Sequence, residues 1–173
     1  RSSTVSFRDT PKGKPFFYVW NTLLTHESRI WERSSKPLTV EPDEVIIPSY
    51  FADIPEVRND IARKYSNIEA MDKKVGELIN QLEQDGLLDN TIIMFWSDHG
   101  GNLLRQKRAV GNSGLNVPLI VRYPDKQNAG KVDNRIVSLM DLGPTVLSLL
   151  NIEPPVHYDG KAIAGKFEEE PRK

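Results

Sequence analysis

The stretch VRNDIARKYSNIEAMDKKVGELINQLEQDGLLDNTIIMFWSDHGG, residues 57–101, carries a helix, a turn and the end of a strand. Val57, Ile61, Tyr65, Ile68, Met71, Val75, Leu78, Ile79 and Leu82 recur at threes and fours, one apolar stripe on an otherwise charged rod. Pro55 stands near the start and Gly86 just past the end, the asymmetry that helix termini favour. After Asp89-Asn90 the period changes. TIIMFWS (91–97) is an apolar run of strand length, and it leads directly into Asp98, His99 and two glycines. An amphipathic helix followed by a buried strand predicts a sheet covered by helices.

Working outward, FFYVWN (16–21) is aromatic and β-branched and reads as another buried strand. Strand, long crossover with helix, strand is a βαβ unit, so 16–21 and 91–97 are expected to run parallel in one sheet. VPLIVRY (117–123) reads as a third strand, closed by Pro124. Asp141 is placed to cap a last helix, DLGPTVLSLLN, with Pro144 tolerated in its first turn. From Asn21 to about Asp53, Pro37, Pro42 and Pro48 break any long helix; a segment of that length is usually functional or a lid. The expected class is α/β, part of a mostly parallel sheet flanked by helices.

Composition narrows the partners. The 173 residues carry 23 Lys plus Arg against 24 acids, so no basic footprint argues for nucleic acid or an anionic membrane surface. Cysteine is absent, which excludes disulfides and thiolate metal sites. No run approaches the roughly 20 apolar residues of a membrane span. The polar opening RSSTVSFRDTPKGK is no signal peptide and lacks an initiating Met, so a piece of a longer protein is expected.

The chemistry gathers where the strands end, since ligands of open α/β sheets sit beyond the strands' carboxyl ends. After FFYVWN comes TLLTHES with His26 and Glu27; after TIIMFWS comes Asp98-His99. The basic loop RQKRAVGNSGLN (105–116) precedes the third strand and is placed to return to the same edge. A carboxylate beside an imidazole suits a divalent cation, and Gly100 and Gly101 would leave room for a ligand. Each feature has a plainer reading: a capped turn for Asp98-His99, a loop histidine for His26, a solvated basic loop for Lys107. Trp20 and Trp96 lie inside strands and read as core, which leaves Trp31 as the tryptophan offered to a substrate.

From Pro15 to about Gly165 the chain resembles the later part of the sulfatase family's catalytic domain, within the alkaline phosphatase superfamily. The resemblance rests on PFFYVWNTLLTHES, YSNIEAMDKKVGELINQLEQDGLLDNTIIMFWSDHGG, GLNVPLIVRYP and IVSLMDLGPTVLSLLNIEPPVHYDGKAI, in the family's order. The THES form is most similar to the heparan N-sulfatase-like branch.

The resemblance implies that Asp98 and His99 bind a divalent active-site metal, although many sulfatases carry Asn at the second position. Calcium is the first expectation. Manganese and zinc are the alternatives, because imidazole suits them better than it suits calcium. Lys107, ten residues before Val117-Pro118, matches the lysine that touches the sulfate oxygens, with Arg108 or Arg105 as substitutes. His26 matches the histidine near the leaving-group oxygen. Glu27, Trp31 and Arg108 are the expected substrate contacts. The family's nucleophile is a formylglycine made in a C/S-x-P-x-R signature, with an Asp-Asp pair as further metal ligands; neither occurs in these residues.

The expectation is therefore a fragment: a polar segment (1–14), a partial sulfatase catalytic domain (15–165) and a charged C-terminal tail (166–173). Its partners would be the remainder of the sulfatase domain and a sulfated small molecule or glycan, and the parent would be periplasmic or secreted. The chain alone would be inactive. The alternatives are a phosphoryl or phosphonate hydrolase of the same superfamily, or a non-catalytic remnant serving as an interaction module.

Overall fold

The computed structural model describes residues 6–172. The chain divides into two compact units, Arg1–Asn90 with His99–Val117, and Thr91–Asp98 with Pro118–Lys173.

The first unit contains helices α1 (Arg29–Glu32), α2 (Pro55–Gln84) and α3 (Asn112–Leu115). The helix expected from the apolar stripe is α2, and both its ends follow the sequence signals. Pro55 opens it, where a missing N–H costs nothing. At the other end the Gly86 N–H reaches Glu83 O at 3.0 Å and the Leu87 N–H reaches Leu82 O at 2.8 Å. This pair of closing bonds requires a left-handed residue, and Gly86 supplies it at φ +67°. A Cβ on Gly86 would meet nothing, so its cost is conformational alone. Gly86→Ala is expected to destabilise the chain by about 1 kcal/mol, and Gly86→Asn by less, read from denaturant midpoints.

The inner face of α2 is more polar than the stripe suggests. Beside Ile61, Ala62 and Leu82 it buries Arg63, Ser66 and Asn67. Ser66 Oγ accepts the N–H groups of Thr39 (3.0 Å) and Val40 (3.3 Å). Arg63 donates to Ser34 O at 3.2 Å and Pro37 O at 3.3 Å. Asn67 accepts from Arg33 Nε at 2.7 Å and donates to Arg29 O at 3.3 Å. The proline-rich segment has no sheet ladder for its backbone groups, and α2 satisfies several of them through side chains. A small apolar cluster of Val45, Ile61 and Ala62, flanked by Leu38, Val40, Ile47, Val57 and Leu103, packs beside these bonds. The expected lid is thus pinned to a helix.

FFYVWN departs from expectation. It alternates as a strand should: Phe16, Tyr18 and Trp20 are half-buried, while Phe17 is 76% and Val19 48% exposed. Phe7 stacks on Phe16 at 5.6 Å and meets Tyr18 edge-on at 6.0 Å. No strand is formed, however, and the expected parallel pairing of 16–21 with 91–97 is absent among the described residues. The aromatic packing needs only an extended chain. A strand also needs a neighbouring backbone.

In the second unit, β1 (Ile93–Trp96) and β2 (Leu119–Arg122) pair antiparallel, Ile93 opposite Arg122 and Trp96 opposite Leu119. They are the cores of the expected strands 91–97 and 117–123. Helix α4 (Leu142–Leu149) follows, burying Pro144, Thr145 and Ser148. Its hydroxyls serve the returning chain: Thr145 Oγ1 accepts the Ile163 N–H at 3.0 Å and Ser148 Oγ the Phe167 N–H at 2.8 Å. Asp141 stands at the expected cap position, but its side chain caps nothing in α4. It accepts the N–H groups of Ser138 (2.7 Å) and Lys161 (2.8 Å) and pairs with Arg172. The charged C-terminal segment is thereby tied back to α4.

Candidate functional site

Two loops of the first unit carry most of the candidate residues, and α2 holds both. The first, TLLTHES, runs into α1, where Asn67 binds the carbonyl of Arg29 and the side chain of Arg33, the residue that follows the helix. The second, 99–111, is fixed through Gln106, which is buried. Lys64 on α2 donates to Gln106 Oε1 at 3.1 Å, and burial lowers the pKa of that ammonium. Leu103 adds an apolar contact to the α2 cluster. Directly between the loops, Asn102 Nδ2 donates to Thr25 O at 3.2 Å.

The turn around Lys107 is tight. Arg105 and Arg108 both take left-handed backbone, at φ 60° and 66°. Conformations of this kind cost about 1–3 kcal/mol each and persist only where surroundings enforce them. Here the Lys107 N–H bonds Gly101 O at 2.9 Å, the Ala109 N–H bonds Gln106 O at 3.1 Å, and Ser113 Oγ donates to Arg105 O. The glycines are needed for close approach, which corrects their reading as room for a ligand. A Cβ on Gly100 would collide with the Ser113 carbonyl, and one on Gly114 with the Ala109 carbonyl. A Cβ on Gly101 would meet the Gln106 side chain. The space beside them is filled by the loop itself and, at Gly101, by the Lys64 side chain from α2.

The result is a cluster drawn from positions 81 residues apart. Lys107 Nζ lies 3.3 Å from His26 Nε2 and 3.3 Å from Glu27 Oε1. Arg108 grips the same carboxylate with both arms, at 2.9 and 3.1 Å. The Arg108 guanidinium, opposed by partial desolvation and assisted by Lys107, holds the Glu27 carboxyl below the usual range. Of the three cations in RQKR, Lys107 is the one that meets His26 and is mostly shielded, its side chain 18% exposed. Arg108 is 73% exposed, and Arg105 lies over the Tyr50 ring at 5.6 Å.

Four expected site residues, His26, Glu27, Lys107 and Arg108, are thus brought together. Trp31 sits on α1, 65% exposed, and takes no part in the hydrogen-bonded cluster. Asp98 is the last residue of its segment of the second unit, and His99 opens the loop segment of the first. His99 Nδ1 lies 2.6 Å from Gly100 O. A carbonyl can only accept, so this contact puts a proton on Nδ1. Among the described residues, no three His, Asp or Glu side chains gather as a complete metal site. A carboxylate and an imidazole are donor types that divalent cations accept. Ser28, read from the sequence beside Glu27 as either a substrate contact or a brace of its loop, lies with its Oγ 3.2 Å from His26 Nδ1. Asn102 and the Lys64–Gln106 pair escaped the sequence reading because nothing in their spacing announces a tertiary contact.

Comparison with known proteins bears on this arrangement. The family model described as Sulfatase matches residues 3–152. An ulvan-active sulfatase of Formosa agariphila is 38% identical over 157 residues, 90% of this chain and 26% of the relative. Human N-sulphoglucosamine sulphohydrolase is 30% identical over 145 residues, 78% of this chain and 29% of the relative. A solved structure from work on the metabolism of multiple glycosaminoglycans by Bacteroides thetaiotaomicron superposes with a TM-score of 0.63 at 24% identity. It covers 92% of this chain, which in turn covers 32% of that one. The chain spans between a quarter and a third of the length of these relatives.

Proposed function

The chain belongs to the sulfatase family, and from that membership we propose that it is part of an enzyme hydrolysing sulfate esters or sulfamates of sulfated sugars. The observation that carries the reading is the His26–Lys107 contact at 3.3 Å, which puts a proton carrier and a shielded cation side by side. Cleaving a sulfate ester requires neutralising the oxygens of the transferring group and stabilising the departing oxygen. Lys107 supplies the first, since an ammonium offers three donors and no acceptor. His26 supplies the second by giving a proton to the leaving group. Glu27 holds the Lys107 ammonium in place, and Arg108 braces Glu27 and offers charge to the substrate from a solvent-facing position. Trp31 is assigned to sugar contact.

Asp98 and His99 would contribute to holding a divalent cation, calcium first and manganese or zinc as alternatives. When bound, such a cation adds Lewis-acid stabilisation of the sulfate oxygens. The nucleophile is assigned to a formylglycine outside these residues, so the 173-residue chain alone is inactive. We assign the parent protein to the periplasm or the exterior of the cell.

The test uses the longer protein that carries this chain, assayed on p-nitrophenyl sulfate and p-nitrophenyl phosphate, with bound metal measured in parallel. Sulfate turnover that falls at least a hundredfold in Lys107→Ala, and loss of bound metal in Asp98→Ala, are the expected results. Preference for the phosphate ester would move the reading to the phosphoryl branch. Full activity in Lys107→Ala would remove its basis.

A further inference from the structure

Ser28 occupies the N-cap position of α1, where a serine hydroxyl ordinarily accepts a backbone N–H of the first turn. It makes no such bond. Its Oγ lies instead 3.2 Å from His26 Nδ1, and its backbone N–H points at the same nitrogen from 3.3 Å. On the opposite edge of the ring, Lys107 Nζ is 3.3 Å from Nε2.

These contacts make incompatible demands on the ring. A neutral imidazole has one N–H and one lone pair. An ammonium only donates, so Nε2 must meet Lys107 with its lone pair, and the proton must then sit on Nδ1. There Ser28 Oγ is the group able to accept it. The Ser28 backbone N–H favours the reverse arrangement, with Nδ1 accepting and the proton on Nε2. All three contacts are at the long end of the hydrogen-bond range, so neither tautomer is locked.

We propose that Ser28 is a positioning residue that selects the tautomer of His26. It holds the ring proton on Nδ1 while the Lys107 ammonium faces Nε2, and releases it once an anion takes over that ammonium. The release is a tautomerisation through solvent: water gives a proton to Nε2 and takes the one on Nδ1, so the ring is neutral before and after and no net proton is gained or lost. Nε2, the nitrogen at the Lys107 end of the ring, then carries the N–H and faces the anion's end of the site as a hydrogen-bond donor. The identity of the anion as a sulfate rests on the function proposed above; the selection by Ser28 does not.

The experiment is ¹⁵N NMR of the imidazole nitrogens in the full 173-residue chain at mildly alkaline pH. Without anion, the wild type should carry the proton mainly on Nδ1. Ser28→Ala, which removes the acceptor and keeps the opposing N–H, should shift the tautomer ratio towards Nε2 by roughly five- to tenfold. Ser28→Thr, which keeps the hydroxyl, should match the wild type, and Lys107→Met should also move the proton to Nε2. An unchanged ratio in Ser28→Ala, or a wild-type proton already on Nε2, overturns the proposal. Inorganic sulfate, added to the wild type, should produce the same shift as Lys107→Met. Sulfate that leaves both His26 and Lys107 signals unmoved, with the Ser28 variants behaving as expected, would count against the sulfate site while supporting the tautomer selection.

Discussion

Replacing His26 by alanine in the protein that carries this chain should lower kcat on a sugar sulfate by about 10²–10⁴-fold, and much less on p-nitrophenyl sulfate. The difference comes from the leaving group. A sugar alkoxide is strongly basic and departs slowly unless a proton reaches it, whereas nitrophenolate is stable without one. A residue that donates that proton matters only where the proton is needed. Lys107 makes the contrasting case, because it would bind the sulfate oxygens whatever group departs, so Lys107→Ala should depress both reactions together. The contact between the two groups supports this split: Lys107 Nζ meets His26 at Nε2, leaving Nδ1 to Ser28. Equal losses on both substrates in His26→Ala would assign the histidine to sulfate binding or loop structure instead.

How far this site could be read from the sequence depended on what kind of signal each residue leaves. Helix α2 was legible because an apolar stripe, an N-terminal proline and a left-handed glycine are local features, and local physics fixed them. The cores of β1 and β2 were legible for the same reason. FFYVWN carries the local signature too, and its burial does alternate, but the ladder that would make it a strand depends on a second backbone that no local pattern specifies. The polar side of α2 was the larger gap. Arg63, Ser66 and Asn67 look like solvated surface in a helical wheel. They are buried because the proline-rich segment brings unpaired backbone groups to them. His26 and Lys107 could be nominated from their positions in the resembling motifs. Their contact, like the double grip on Glu27 and the Asn102–Thr25 bridge, exists only once α2 has held both loops.

The second unit offers the largest stability effect, at Asp141. This carboxylate is fully buried, accepts two backbone N–H groups and pairs with Arg172 through both oxygens. Burial by itself would push its pKa up; Arg172 and the N–H groups of Lys161 and Ser138 outweigh that and hold it below the ordinary value. Asp141→Ala strands two half-buried donors and a cation, and is expected to cost about 3 kcal/mol in denaturant unfolding. Arg172→Ala should cost less, about 1–2 kcal/mol, because its side chain is 27% exposed and the backbone bonds survive. The two losses should not add, since they remove one interaction twice. The pH dependence follows from the depressed pKa. The carboxylate's contribution is complete above the unfolded aspartate value of about 3.9 and is lost as pH falls below it, through the lower folded value. Acid titration should therefore destabilise the wild type more steeply below about pH 4 than Asp141→Asn, which has no carboxylate to protonate. Identical acid limbs in the two proteins would mean that Arg172 does not hold the charged C-terminal segment through Asp141 in solution.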